Sequence, residues 1–259
     1  MTLSRRNVLR GMGGAALAAG LVHAAPAWAD PDDDADDPED DAPRPKRPGP
    51  VNWGLGKMLD YSAGVPAPEA IKAAGYLGSF CYVSDQAKGE EWMKAKPLTR
   101  PVADAMRASG LIIASVWQWG GQTTADWRRG HDAGVKAARR AITLHQAAGG
   151  PDHAAIYACV DDDPTPDLWE DSIADYLRGF EEVIGHERLG VFCNPKTIDW
   201  CLDAGLGTYF WQHDWNNDTL ALHPAAHLHQ LPGRKPWVVQ VDNVECDQTA
   251  VLNMAFGQW

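Results

Sequence analysis

The sequence lacks the features that define several large classes of protein. Its 259 residues contain no uninterrupted apolar run of about 18 or more, which argues against an internal membrane span. The formal net charge is -12, so the basic footprint that nucleic-acid binding needs is missing, and we expect no nucleic-acid partner. No GxSxG, Walker or GxGxxG motif occurs, which removes the usual serine-hydrolase, P-loop and dinucleotide-binding interpretations.

The first 29 residues have the three parts of an export signal. Three arginines precede a weakly apolar, Gly/Ala-rich stretch at 11–22, and the letters AWA at 27–29 offer a cleavage site. The string SRRNVLR at 4–10 resembles the twin-arginine (Tat) export motif. We therefore expect the Tat machinery and a signal peptidase as partners. The mature protein is expected outside the cytoplasm, in the cell wall or secreted, with no membrane span after cleavage.

Residues 30–50 are acidic and rich in proline, with no large apolar side chain. Such a segment repels itself and cannot bury a core, so it is predicted to be a disordered linker. The folded domain is predicted at 51–259. Its five cysteines are odd in number and show no CxxC spacing. Since Tat cargo folds in a reducing cytoplasm, they are expected to be buried free thiols, with a late disulfide as the alternative.

Short apolar runs alternate with longer amphipathic ones across 51–259, which is typical of a parallel sheet covered by helices. We predict an α/β fold, a compact and somewhat irregular (β/α)8 TIM-type barrel, because eight strands fit this length. The predicted strands are Gly56–Asp60, Gly78–Val83, Leu111–Trp117, Ala154–Val160, Leu189–Phe192, Gly207–Trp211, His227–Leu231 and Trp237–Val241. The predicted helices are Ala67–Ala74, Pro101–Ser109, Thr123–Ala148, Asp167–Ile184 and Thr197–Ala204.

Polar side chains gather where these predicted strands end, which is where the active sites of such barrels lie. They are Asp60, Ser84, Asp85, Gln118, Trp119, Asp161 to Asp163, Asn194, Gln212, His213, Asp214, Gln230, Asp242 and Asp247. Far fewer polar residues precede the strands. This asymmetry indicates a functional site at one end of the barrel.

The run of three acids at 161–163 is the strongest chemical signal. Alternation along a strand puts Asp161 and Asp163 on one side and turns Asp162 away. A protonated carboxylic acid beside an ionised one is what glycoside hydrolysis requires. A Ca²⁺ or Mg²⁺ site, or a plain helix cap, would also use such a run, and both alternatives stay open.

Tryptophan is common, with 12 residues, and an indole can cover the apolar face of a sugar ring. Trp117, Trp119, Trp211 and Trp215 flank the polar strand ends, and the other interpretation is that they pack in the core. Two imidazoles in His227-Leu228-His229 share one strand face. That spacing is weak support for a zinc site, so no metal or other cofactor is predicted.

Several strings of the sequence resemble a known family. They are LDYSAGV at 59–65, CYVSD at 81–85, TADWRRG at 124–130, AAGGP at 147–151, VDDDP at 160–164, NPKTIDW at 194–200, GTYFWQHDW at 207–215, HPAAHLHQ at 223–230 and FGQW at 256–259. These strings are similar to the Tat-exported actinobacterial glycoside-hydrolase-like family, whose fold is similar to that of the family 25 lysozymes. The resemblance covers essentially all of 51–259.

The resemblance also implies a set of catalytic residues. The lysozymes cleave peptidoglycan with an Asp ending strand one, an Asp-x-Glu on strand four and an Asp near the last strand. The matching positions here are Asp60, Asp161, Asp163 and Asp247. Asp163 departs from the pattern because the lysozymes have Glu there, and the shorter side chain would misplace a general acid by about 1.5 Å.

The sequence therefore predicts an exported glycosidase acting on a cell-envelope polysaccharide, of the peptidoglycan or arabinogalactan type. Asp163 would be the general acid, Asp161 the nucleophile or charge stabiliser, and Asp60 and Asp247 would orient them. The substrate-binding residues are predicted to be Trp117, Gln118, Trp119, Asn194, Trp211, Gln212, His213 and Gln230. The alternatives are a cell-wall glycan-binding barrel without catalysis, and a metal-dependent hydrolase that uses the acid run with His213, His227 or His229.

Overall fold

The computed structural model describes residues 54–214 and 221–259. The predicted signal, the predicted linker and Trp215 lie outside these residues. The strands are β1 Gly56–Asp60, β2 Gly78–Tyr82, β3 Ile112–Trp117, β4 Ile156–Cys159, β5 Leu189–Cys193, β6 Tyr209–His213, β7 Leu228–Gln230, β8 Val239–Val241 and β9 Val244–Val251. The main helices are α1 Pro68–Ala73, α2 Arg100–Ala108, α3 Gly130–Ala148, α4 Ala174–Ile184 and α5 Pro195–Ala204.

Shorter helical turns connect some of these elements. Two 3₁₀ turns, Gln122–Thr124 and Asp126–Arg129, lead into α3, and a third, His186–Arg188, precedes β5. Before α4 come a short α-helical turn, Pro166–Leu168, and a π-helical turn, Trp169–Ile173.

The first seven strands form a parallel series in chain order, as the alternating pattern predicts. Every residue of β2, β4 and β5 is buried, since strands inside a parallel barrel are covered on both faces. β9 closes the barrel, pairing antiparallel with both β1 and β7. The fold is thus an eight-stranded TIM-type barrel surrounded by helices, which confirms the predicted fold class.

The identity of the last barrel strand corrects the prediction. The predicted eighth strand, Trp237–Val241, forms only the short β8, which pairs with β9 as a hairpin. Asp242 and Asn243 make the two-residue turn between them, with φ values of 51° and 61°. A turn with both central residues at positive φ matches the twist of paired strands. The eighth barrel strand is therefore β9, and it runs against the other seven.

Side chains pack against the strands both inside the barrel and between the strands and the outer helices. Inside the barrel, Phe80 stacks on Trp211 with ring centroids 3.7 Å apart, and Tyr157 and Phe192 pack against the same indole. Outside, α3 and α4 approach closely because Gly134 faces the backbone of α4, where an added Cβ would lie 2.0 Å from the Tyr176 carbonyl oxygen. All five cysteines are buried and free, as expected from their positions.

Candidate active site

The register of the strands identifies which polar side chains face the barrel interior. Phe80 and Trp211 meet across the barrel and so mark its inner face. Side chains alternate along each strand, and register partners share a face. Counting from this pair places the following residues on the inner face at or just beyond the carboxyl ends of the parallel strands: Asp60, Gln118, Asp161, Asn194, His213, Gln230 and Asp247.

β9 brings two of the predicted catalytic residues together. Asp60 ends β1, and Asp247 is its direct register partner on the antiparallel strand. Asp60 is buried, and the side-chain amide of Gln230 donates a hydrogen bond of 3.1 Å to its Oδ2. Asp247 lies within a strand rather than after one, so only the antiparallel pairing places it at the carboxyl end of β1.

Asp161 is buried at the end of β4 and is held from the β3 side. The Trp127 indole donates to its Oδ1 at 3.2 Å, and the Gln118 amide donates to its Oδ2 at 3.3 Å. Hydrogen bonds to a charged acceptor are stronger than those between neutral groups, so these two donors stabilise a negative carboxylate. Asp161 is therefore positioned as a fixed anion.

Asp163 lies on the other side of the β4 end and is exposed. The side-chain amide of Asn194 donates to its Oδ1 at 2.8 Å, while the amide oxygen of Asn194 caps α5 by accepting from the Thr197 backbone. Between the two acids, Asp162 forms an ion pair of 3.1 Å with Arg128. The three neighbouring acids thus have separate partners, and Asp163 is the most accessible to solvent.

His213 lies in the interior close to both acids. It is fully buried, and its Nε2 lies 3.4 Å from the Val160 carbonyl oxygen. Burial lowers the pKa of His213 to about 4, although the nearby negative charges of Asp163 and Asp161 oppose that shift. The imidazole is therefore neutral near pH 7 and acts as a polar wall rather than a cation.

Lys96 is a site residue that the sequence did not reveal. Its side chain is completely buried, and its ammonium group donates to the carbonyl oxygen of Gln118 at 2.8 Å and to Glu90 at 3.0 Å. It also donates to the Gln118 side-chain oxygen. Because that oxygen is occupied, the amide nitrogen of Gln118 faces its two acceptors, the Gly120 carbonyl oxygen and Asp161. A lone lysine in a loop carries no motif, so only the contact reveals its role.

Three predicted substrate-binding residues do not face the open interior. Trp117 points outward and donates to Asp126 at 2.7 Å. Gln212 also points outward, donating to Asp214 at 2.8 Å and to the Ala221 carbonyl oxygen at 2.7 Å. Trp211 faces inward but is completely buried in the aromatic core. Direct ligand contact by these three residues stays a prediction.

The third predicted tryptophan that can be placed is Trp119. It is partly buried on the outer side of the β3 end, with the Arg129 guanidinium 5.1 Å from its ring centroid. It therefore lines a region separate from the barrel mouth.

The described residues contain no group of three His, Cys, Asp or Glu side chains arranged to hold a metal ion. His229 pairs with Asp214, and His227 accepts from the Phe210 backbone at 3.3 Å. Across 54–214 and 221–259, no helix combines the length and apolar character needed to cross a membrane.

The closed barrel, with four carboxylates and three amides around its mouth, belongs to the class of glycoside-hydrolase-like barrels. Residues 69–251 match the model of the Rv2525c-like, glycoside hydrolase-like domain, and the chain belongs to that family. This confirms the family resemblance of the sequence.

Relatives with known names agree with this assignment. The chain is 42% identical, over all of both chains, to "Putative peptidoglycan hydrolase Rv2525c" of Mycobacterium tuberculosis strain H37Rv. The crystal structure of the Tat-secreted protein Rv2525c of that species, in complex with L-tartrate, has 48% identity and a TM-score of 0.77, covering 80% of this chain and all of that one.

More distant structures share the fold alone. The bacterial lysozyme from Streptomyces coelicolor is 12% identical, with a TM-score of 0.50 and coverage of 77% of this chain and 93% of the lysozyme.

Proposed function

We propose that this protein is an exported glycoside hydrolase that cleaves a cell-envelope polysaccharide, of the peptidoglycan or arabinogalactan type. The observation that carries the proposal is the arrangement of Asp161 and Asp163, one buried and held by two N–H donors, the other exposed and held by one. Two carboxyl groups in unlike environments suit the two roles that glycoside hydrolysis needs.

In this proposal Asp163 is the general acid, because its exposure allows it to reach the oxygen of a leaving sugar. Asp161 is the nucleophile, or the group that stabilises positive charge on the sugar ring, because its donors hold it in place as an anion. Asp60 and Asp247 orient the substrate from the opposite wall. Gln118, Asn194, His213 and Gln230 line the space between them. The relative named "Putative peptidoglycan hydrolase Rv2525c" supports the substrate class. The crystal structure of Rv2525c describes it as a Tat-secreted protein, which supports the export route.

A binding barrel without turnover is the second candidate, and the observation that favours it is Asp163 itself. The family 25 lysozymes have Glu at the matching position, and Asp is one methylene shorter. A general acid displaced by about that length can lose orders of magnitude in rate. The same carboxylates and amides would then hold wall glycan without cutting it.

The test is reducing-sugar release from purified peptidoglycan and from arabinogalactan. We expect release by the wild-type protein and a loss of about 10²- to 10⁴-fold in Asp161→Asn and in Asp163→Asn, the range typical of a lost acid or base. Asp162→Asn is the matched control, since Asp162 is paired with Arg128 instead.

Each result decides between the two candidates. Equal release by wild type and Asp163→Asn would contradict the assigned acid. No release, with polymer still bound in a pull-down, would establish the binding barrel. If the protein neither releases sugar from these two polymers nor binds them, both candidates are rejected for these polymers.

A further inference from the structure

A cavity of about 190 Å³ lies on the outer side of the barrel wall, between the end of β3, the 3₁₀ turn Asp126–Arg129 and the first half of α3. It is separate from the mouth, because Trp117 and Trp119 line it while Gln118 between them faces the interior. A volume below the usual 300–1,000 Å³ of drug-sized pockets suits a ligand of about one sugar residue.

The walls of this outer cavity combine flat apolar surfaces with one buried acid. Trp117 and Trp119 supply indole surface, and Ala133 and Ala137 of α3 leave room opposite them. Asp126 is buried at the wall and accepts hydrogen bonds from Trp117 and, at 3.1 Å, from the Tyr176 hydroxyl. An indole face and a buried acceptor are what the apolar side and a hydroxyl group of a sugar require.

The charges around the outer cavity leave two cations available to a ligand. Arg140 is neutralised by a bidentate contact with Asp85, both distances being 2.7 Å. Arg129 and Lys136 are exposed at the rim, and neither forms an ion pair with another described residue. Arg129 lies 5.1 Å from the Trp119 ring centroid and donates to the Thr124 carbonyl oxygen at 3.3 Å, so its charge is not neutralised. Burial raises the pKa of Asp126 to about 6, which reduces the negative charge that would repel an anion in mildly acidic solution. The rim therefore favours one negative group.

We propose that the outer cavity binds a small carboxylate with one apolar face, specifically a carboxylate-bearing sugar. The carboxylate lies between Lys136 and Arg129, the ring stacks on Trp119, and a hydroxyl faces Asp126. A sugar fits better than an aromatic acid because an aromatic acid offers no donor to the buried Asp126. The proposal does not depend on hydrolysis, because the proposed catalytic residues do not line this cavity.

Saturation-transfer NMR and calorimetry on the purified protein test this site with three probes: D-glucuronate, D-glucose and benzoate. We expect saturable glucuronate binding, and glucose and benzoate each at least about tenfold weaker, since a hydrogen bond to a charged group contributes about that factor or more. Lys136→Ala and Trp119→Ala should each weaken glucuronate binding by about tenfold. Arg139→Ala is the matched control, because Arg139 is exposed on the same helix but does not line the cavity.

Binding must also be independent of the barrel mouth. Glucuronate affinity should be the same in wild type and in Asp161→Asn. A loss in Asp161→Asn with no effect of Lys136→Ala would place the sugar in the mouth and overturn the proposal. No saturable binding at tens of millimolar would overturn it too, and benzoate binding more tightly than glucuronate would reject the sugar assignment.

Discussion

The two faces of one barrel wall carry similar pairs of side chains with different surroundings. On the inner face, the Trp127 indole donates to Asp161 at 3.2 Å. On the outer face, the Trp117 indole donates to Asp126 at 2.7 Å. Both carboxyl groups are buried. The residues Asp126 and Trp127 are neighbours in sequence, so one short turn contributes the acid of one pair and the donor of the other.

The second partner of each acid makes the difference. Asp161 accepts from the Gln118 amide, whose orientation depends on the buried Lys96. Asp126 accepts from the hydroxyl of Tyr176, which reaches it because α3 and α4 pack closely. On the inner face, the Lys96 ammonium holds the Gln118 amide that donates to Asp161. On the outer face, Asp126 has only neutral donors, the Trp117 indole and the Tyr176 hydroxyl. Burial raises the pKa of Asp126 to about 6. Surroundings, rather than residue type, set the role of each acid.

The largest expected effect is the pH dependence that Asp126 gives to the free energy of unfolding. The pKa of Asp126 is raised in the folded protein, so its stabilising contribution is complete below the unfolded pKa near 4 and is lost as the pH rises through about 6. Asp126→Asn removes this titration, and both donors bond the same oxygen, which Asn retains. Relative to the variant, the wild type should lose about 2 kcal/mol of unfolding free energy between pH 4 and pH 7.

Denaturant unfolding of both proteins across this range measures the difference, and other titrating groups cancel because both proteins share them. Asp162→Asn, which removes a partly exposed carboxylate paired with Arg128, is the control. A wild-type-minus-variant difference independent of pH would show that folding does not raise the pKa of Asp126 and would remove the contrast between the two acids.

An intermediate effect should follow from the support behind Asp161. Gln118→Ala removes one donor to Asp161, and Lys96→Met removes the charged donor that holds the Gln118 amide oxygen, which leaves only the Gly120 carbonyl oxygen and Asp161 to orient that amide. Each variant should lower kcat for glycan release by about tenfold. Lys94→Met is the control, because Lys94 is exposed two residues earlier in the same loop. An unchanged kcat in a folded Lys96→Met protein, verified by its melting temperature, would show that Lys96 has a purely structural role.

The smallest effect concerns the ion pair at the rim of the outer cavity. Asp85 and Arg140 bond in a bidentate geometry, but nearly half of each side chain is exposed. Water and salt screen such a pair, so a double-mutant cycle with Asp85→Asn and Arg140→Gln should give a coupling below about 1 kcal/mol. A coupling of several kcal/mol would mean that this ion pair is more shielded from water than the exposed fractions of its two side chains indicate.

Local pattern predicted most of the barrel. The limits of β1 agree with the prediction, and the other six parallel strands begin or end within two residues of it. Strong apolar periodicity is a local property, so these elements could be read from short windows. The helix predicted at Thr123–Ala148 is two 3₁₀ turns followed by α3. Gly130, at the start of α3, has a φ of 67°, which a continuous α-helix does not allow.

The last barrel strand was predicted wrongly because its pairing is non-local. β9 carries polar residues at its start, and its partner β1 lies almost 200 residues earlier in the chain. Asp242-Asn243 was a usable signal, since two residues that tolerate positive φ between apolar runs are typical of a hairpin. Without that hairpin, Asp247 is assigned to a loop rather than to the strand position opposite Asp60.

Periodicity and motifs were enough to predict the order of strands and helices, the family and the gathering of acids at strand ends, because both are local properties of the chain. Only the packed fold shows which of those side chains face each other. It turned Trp117 and Gln212 outward, placed Lys96 behind Gln118, and set Asp126 against Tyr176. Such contacts depend on strand register and helix packing across long sequence separations, where no local pattern specifies the partner.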